Sequence, residues 1–305
     1  MEIGTDVLKK HVTAAFQMRD VNAARRYLDS FVVSSPALLQ VDIAPVIQKT
    51  FRGSWFTPVK LEPPVTILYF HGGGYSFYPQ AYANFVALIA AAAKSRTFAL
   101  DYRLSPEYRF PAQLEDALNA YRWLLQNGCD PGNVVFAGDS AGGHLALTSL
   151  LAARDARLPL PAMAIVLSPA TDFEGEYVST TYNETFDWID QGMLKQWADW
   201  FCDTAQRCDP LVSPLRANFR GLPPIYMQAG RAEILYDSIQ AFADRARIQG
   251  VDVTLESWQD MNHDFQMFGP DVPQSTEALR RLGEVMDSVR ARGKKKTASV
   301  SSVHL

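Results

Sequence analysis

The chain is poor in cysteine, in excess positive charge and in long apolar runs, and each shortage closes off a class of protein. Cysteine occurs only at Cys129, Cys202 and Cys208 among 305 residues. So sparse and odd a set builds no disulfide framework, and none of it has C-x-x-C spacing. Cys202 and Cys208 lie close enough in sequence to bridge, but reduced, packed thiols are the reading adopted, which fits a cytoplasmic location. Lys and Arg number 29 against 33 Asp and Glu, for a net charge of −4. Nucleic acids and anionic membrane surfaces select a basic face, so neither is expected as a partner. The longest apolar-rich run, Phe85 to Ala93, falls well short of the ~20 residues that cross a bilayer. Met1 to Asp6 has neither a basic n-region nor an apolar h-region, so no secretory signal is expected. No repeat with a period of ~20–50 residues is present, which argues against a solenoid or propeller.

What the chain does have is a recurring short apolar run followed by a helical pattern. Val65 to Phe70, Thr97 to Tyr102, Asn133 to Ala137, Met163 to Leu167, Ile225 to Gln228 and Val253 to Trp258 read as strands. Gln80 to Lys94, Pro111 to Asn127, Ala141 to Arg154 and Tyr236 to Gln249 read as the helices between them. The strands are continuously apolar rather than alternating, as in a parallel sheet covered on both faces. The fold class is therefore α/β with one central sheet.

Three segments stand outside that alternation. Residues 1–45 read as one or two helices. Residues 171–215 form a polar, aromatic insertion between two sheet strands, either a small subdomain with its own core or a lid over a ligand pocket. Residues 293–305, lysine- and serine-rich, are expected to be a disordered tail. The catalytic domain is then placed at 46–292.

The chemistry concentrates at two motifs. Gly138-Asp139-Ser140-Ala141-Gly142 is a G-x-S-x-G sequence set between a strand and a helix, where a tight turn exposes the serine at a helix N-terminus. His71-Gly72-Gly73-Gly74 follows another strand. It lacks the spacing of a phosphate-binding loop, and its glycine amides, with that of Ala141, suit an oxyanion hole.

A serine nucleophile needs a base. The chain has five histidines. His11 and His304 lie near the termini, His71 belongs to the glycine loop, and His144 points along the nucleophile's own helix and reads as packing. His263, just after the last strand, is the base. The acid belongs after strand Ile225 to Gln228, where Glu233 and Asp237 compete; Glu233 is preferred because it follows the strand end more closely. No metal site and no organic cofactor are required, because the histidines form no ligand cluster.

These motifs, together with Asp101-Tyr102-Arg103-Leu104-Ser105-Pro106-Glu107, Leu114-Glu115-Asp116-Ala117, Asp209-Pro210 and Gly221-Leu222-Pro223-Pro224, resemble the hormone-sensitive-lipase family of α/β-hydrolases. The resemblance implies an eight-stranded, mostly parallel sheet flanked by helices. It also implies a helical cap made of the N-terminal segment 1–45 and the insertion 171–215. Ser140, Glu233 and His263 would be the triad, with Gly73, Gly74 and Ala141 the oxyanion donors. The family's acid is usually an Asp followed by Pro-Leu, and Glu233-Ile234-Leu235 stands in that place. His71 would orient the glycine loop, and Arg103, Glu107, Glu115 and Asp116 would form supporting ion pairs.

The expected activity is hydrolysis of a small-molecule carboxylic ester, with a short or medium acyl chain or a bulky metabolite. The same triad also serves thioesters, lactones and amides, including acyl or polyketide release. A non-catalytic receptor on this fold loses the catalytic histidine, which His263 argues against. Tyr75, Phe77, Phe173, Phe186 and Trp188 are the aromatic candidates for a substrate pocket. A homodimer is compatible with the family.

Overall fold

A computed structural model describes residues 5–31 and 35–301. The N-terminal helices α1 (Thr5–Phe16) and α2 (Val21–Asp29) lead into strands β1 (Val41–Ile47) and β2 (Arg52–Pro58). Then follow β3 (Thr66–Phe70), α3 (Ala83–Ala93), β4 (Arg96–Asp101), α4 (Ala112–Gln126), β5 (Val134–Asp139), α5 (Ser140–Asp155) and β6 (Met163–Leu167). The insertion carries α6 (Val178–Tyr182) and α7 (Gln191–Phe201). The chain then returns through β7 (Ile225–Gly230), α8 (Tyr236–Ile248), β8 (Val253–Trp258) and α9 (Pro273–Ser301).

These strands form an eight-stranded sheet in the order β1-β2-β4-β3-β5-β6-β7-β8. The β1–β2 and β2–β4 pairs are antiparallel, and the pairs from β4–β3 to β7–β8 are parallel. Pleating sends alternate residues to opposite faces. Phe136 thus joins Leu145, Leu150 and Tyr121 on the α4, α5 and α8 side, while Val135 and Ala137 join Phe85, Ile89 and Leu282 on the α3 and α9 side. Both faces are covered, which explains why the central strands are apolar without a break.

The strands read from apolar runs are present within a residue or two, but β1 and β2 carry no such run. β1 begins at Val41, inside the segment expected to be helical, so the boundary at residue 46 cuts a sheet strand. It is an edge strand exposed along most of its length, and it contains Pro45, whose missing N–H is tolerated at a sheet edge. Period-two patterning is therefore absent where it would have been sought. The tail expectation also changes. Helix α9 continues to Ser301, because the Arg, Lys and Ala residues of this stretch favour helix; residues 302–305 lie outside the described part. Among the described residues, no helix is long and apolar enough to cross a membrane.

The two cap segments meet over the C-terminal ends of the parallel strands. Phe16 of α1 packs against Phe77, Trp188 and Trp197, so the N-terminal helices and the insertion share one aromatic cluster. Arg25 of α2 reaches below the cap. Its guanidinium donates to the carbonyls of Ser76 at 2.9 Å and Ser105 at 2.7 Å and pairs with Glu107 at 2.8 Å. Arg103 pairs with buried Asp116 and with Glu115, fixing the loop after β4.

Strand β5, helix α5 and the loop after β3 are held together by close backbone approach. A Cβ at Gly142 would stand 2.0 Å from the carbonyl oxygen of Phe70 and 2.4 Å from that of His71. Gly142→Ala is therefore expected to cost about 1–3 kcal/mol of stability. Urea or thermal unfolding against the wild type measures it, and an unchanged midpoint would show that the turn yields freely.

Candidate active site

Ser140 occupies the junction of β5 and α5 with φ 50°, a left-handed conformation that is strained for a residue with a side chain. Glycine on either side makes the turn feasible. A Cβ at Gly138 would lie 2.4 Å from the Gly142 carbonyl oxygen. The serine hydroxyl is thereby lifted above the sheet at the N-terminus of α5, where the helix dipole favours negative charge.

His263 sits on the loop after β8, and that loop lies tightly against the one after β7. Ala232 N–H donates to the Met261 carbonyl at 2.9 Å, and a Cβ at Gly230 would stand 2.1 Å from the same oxygen. The result puts His263 Nε2 at 2.8 Å from Ser140 Oγ. Behind the ring, Glu233 Oε2 faces Nδ1 at 3.8 Å, an ion-pair distance rather than a hydrogen bond. Contacts of this kind commonly shorten when substrate is bound.

Asp237, the competing acid, is engaged elsewhere. Its carboxylate accepts the Ser179 N–H at 2.8 Å, and Ser179 Oγ accepts its backbone N–H at 3.1 Å, which docks α6 on α8.

The charges around His263 include residues that the motifs did not suggest. Asp264 Oδ2 lies 3.2 Å from His263 Nε2, on a residue with φ 50°. Asp139, fully buried beside Ser140, accepts the Tyr69 hydroxyl at 2.5 Å, the Gly72 N–H at 3.2 Å and the Tyr82 hydroxyl. Burial, reinforced by the charge of Asp264, pushes the Asp139 carboxyl up to about 8.

Burial likewise pushes Glu233 up to about 7, opposed by the neighbouring His263 and by the Ser168 hydroxyl. For His263 burial disfavours the charged ring, but the Asp264 and Glu233 carboxylates outweigh it and raise its pKa well above 6.5. The imidazolium is thus the form this pocket stabilises.

Gly73 and Gly74 adopt φ 90° and 58°, and both line a cavity that Ser140 also lines. The N–H of Ala141, in the first turn of α5, has no intrahelical acceptor. Tyr75, also at positive φ (61°), fixes the loop. Its hydroxyl donates to His144 Nδ1, because His144 Nε2–H is committed to the Val212 carbonyl at 2.8 Å. Burial lowers His144 to about 4, keeping it neutral. His71 is sandwiched between Tyr78 and Tyr102 at ring distances of 3.7 and 4.0 Å and donates Nδ1–H to the Gly72 carbonyl at 2.8 Å. Burial depresses its pKa to about 3. Both histidines are parts of the frame.

Ser140 lies on the wall of two adjoining cavities. One, of about 350 Å³, is lined by Tyr75, Ala141, Phe173, Leu194 and Leu235, with Asp172 and Lys195 among its polar groups. The other, of about 140 Å³ and largely apolar, is lined by Phe16, Phe77, Trp188, His263 and Met267. Gly74 and Trp197 belong to both.

The aromatic candidates thus divide between the cavities, except for Phe186. Phe186 lines neither cavity: it is 57% exposed and packs on Tyr182. The short turn that carries it faces outward, while Trp188, two residues on, points in.

A hydroxyl on a strand–helix turn, an imidazole against it and a buried carboxylate behind the ring are the layout of a serine hydrolase. The α/β-hydrolase fold profile matches residues 67–267. An acetyl-hydrolase from Streptomyces hygroscopicus is 37% identical over 243 residues, spanning 79% of this chain and 81% of that protein. An esterase from Acinetobacter venetianus is 29% identical over 273 residues, spanning 88% and 89%.

Among solved structures, the esterase EstE5 soaked with p-nitrophenyl butyrate superposes with a TM-score of 0.86 at 34% identity, over 93% of this chain and 97% of that one. An esterase of the bacterial hormone-sensitive lipase family gives 0.84 at 34% identity, over 92% and 96%. The chain belongs to the hormone-sensitive-lipase family of the α/β-hydrolase fold.

Two substitutions separate the candidate acids. Glu233→Gln is expected to lower kcat about 10²–10⁴-fold, whereas Asp237→Asn should lower the melting temperature and spare most of kcat. Ester hydrolysis assayed beside thermal melts distinguishes them, and the reverse pattern would make Asp237 the acid. The base must be neutral to accept a proton, so the acid limb of kcat/KM should fall above the ordinary imidazole value of 6.5. Activity then rises with pH through that limb, and Glu233→Gln should shift the limb to lower pH.

Proposed function

We propose that this carboxylic-ester hydrolase acts on esters of small, apolar alcohols with short to medium acyl chains, through an acyl-enzyme on Ser140. The observation that carries the proposal is the 2.8 Å contact between Ser140 Oγ and His263 Nε2 at the junction of the two cavities.

His263 Nε2 takes the hydroxyl proton as Oγ attacks the ester carbonyl carbon. Glu233 holds the Nδ1–H tautomer and offsets the imidazolium charge. The N–H groups of Gly73, Gly74 and Ala141 receive the oxyanion; one such donor is commonly worth about 2.7–4 kcal/mol. The C–O bond to the alcohol then breaks, and Nε2–H delivers its proton to the departing oxygen. Water repeats the cycle: His263 takes its proton, the acyl carbon is attacked, and Ser140 leaves protonated with release of the acid.

The position of the base supports a division of labour between the cavities. The leaving oxygen must lie within reach of His263 Nε2, so the alcohol occupies the smaller cavity, which His263 lines. The acyl chain takes the larger one, floored by Ala141 and Phe173. Trp197, on both walls, is the partition between them. The name of the acetyl-hydrolase relative and the butyrate ester used with EstE5 agree with short acyl groups.

Hydrolysis of p-nitrophenyl esters from acetyl to dodecanoyl tests this reading. The expected profile peaks at short to medium chains and falls away at the long ones, with no turnover by folded Ser140→Ala. Trp197→Ala should flatten the profile toward longer chains by joining the cavities. Serine-independent turnover, or a maximum at dodecanoyl, would overturn the assignment.

A further inference from the structure

Residues 183–188 of the insertion do more than roof the cavities: they bind the backbones of both loops that carry the base and the acid. Asn183 Nδ2 donates to the Glu233 carbonyl at 2.9 Å and to the Arg231 carbonyl at 3.0 Å. Asp187 Oδ2 accepts the N–H of Ile234, the residue after Glu233, at 2.8 Å. Asp187 Oδ1 accepts the N–H of His263 at 3.1 Å and that of Trp188 at 2.8 Å. Trp188 completes the grip, its Nε1–H donating to the His263 carbonyl at 2.6 Å. The backbone of His263 is thus held at its N–H by Asp187 and at its C=O by Trp188.

We propose that Asp187 is a positioning residue for the reaction, one carboxylate of the cap that sets the base and the acid in mutual register. The proposal deepens the serine-hydrolase reading and rests on it. A carboxylate is suited to the place because every group that it receives is a donor. Two lone-pair-rich oxygens accept amides from two loops and from its own neighbour, whereas an amide side chain would point its NH₂ at one of them. Burial raises the Asp187 carboxyl above its ordinary value, opposed by the ring of His263 and by the N–H groups that the carboxylate accepts.

The coupling also runs to the substrate. Trp188 lines the cavity assigned to the leaving alcohol, so the residue that touches the alcohol also holds the carbonyl of the base. Pressure on the cap from a bound alcohol is thereby passed directly to His263. Glu233 Oε2 and His263 Nδ1 stand 3.8 Å apart, which leaves room for that register to tighten.

The charges facing His263 are Glu233 from the loop after β7, Asp264 from its own loop, Asp187 from the cap and Asp139 from the nucleophile turn. Lys9 of α1 feels the charge of Asp187 from the other side. Each of these carboxyl groups favours the imidazolium when ionised, so removing the charge of Asp187 should lower the proton affinity of His263.

The test is Asp187→Asn, assayed with p-nitrophenyl butyrate across pH and melted in parallel. The expected result is a kcat at least about tenfold lower with KM nearly unchanged, and an acid limb displaced to lower pH. A kcat within about twofold of wild type, or a loss of melting temperature with the acid limb in place, overturns the proposal.

Should Asp187→Asn fail to fold, Trp188→Phe decides. It keeps a ring but removes the donor to the His263 carbonyl, and a several-fold fall in kcat is expected; an unchanged kcat overturns the proposal. Labelling of Ser140 by a fluorophosphonate separates the two readings. A wild type that labels but cleaves no ester removes the ester assignment alone. The variant-to-wild-type ratio of labelling rates still judges Asp187: a lower rate supports it and an equal rate refutes it.

Discussion

The structure depends first on the absence of a side chain at Gly142. Helix α5 starts so close to the end of β3 that the carbonyls of Phe70 and His71 fill the space that a Cβ would need. That approach fixes the distance between the nucleophile and the glycine loop, because Ser140 precedes Gly142 on one element and Gly73 and Gly74 follow His71 on the other. Oxyanion donors act only when they stand where charge develops. The geometry of the proposed hole is therefore set by backbone packing, and the strained φ of Ser140 is held by contacts on both sides of the turn.

Around this rigid centre the remaining groups are adjusted by charge. His263 is ringed by carboxylates at different depths: Glu233 behind the ring, Asp264 beside Nε2, Asp187 at its backbone and Asp139 beneath the nucleophile. A neutral imidazole in an apolar pocket would be a poor proton acceptor, as His71 and His144 illustrate with pKa values pulled down to about 3 and about 4 by burial. The same degree of burial at His263 is overridden by its anionic neighbours. Histidines of one chain thus become base or scaffold according to which side chains face them.

Much of this was legible in the sequence where the chemistry imposes local geometry. The turn at Ser140 needs glycines at fixed offsets, and the glycine loop must follow a strand, so both motifs announce their own surroundings. His263 and Glu233 were singled out by their place after β8 and β7, and His263 lies beside Ser140 with Glu233 behind its ring; Asp237 competed because it lies only a turn further on. Its engagement with Ser179 is a contact between distant segments and leaves no local trace. Asp187, Asp264 and Arg25 were invisible for the same reason: each is an ordinary charged residue until the fold supplies its partner. Strands β1 and β2 escaped notice because an exposed edge needs no apolar pattern, and Phe186 was chosen for its ring when its turn faces solvent.

Arg25 ties the N-terminal segment to the loops beneath the cap. A guanidinium from the N-terminal segment grips the carbonyl of Ser76, two residues beyond Gly74 of the glycine loop. The segment is therefore not an interchangeable cover laid on a finished enzyme. Exchanging it with that of a relative would transplant part of the frame behind the glycine loop along with the roof. Divergence in the first thirty or so residues of such chains would then retune chemistry and substrate choice together, as one inherited unit.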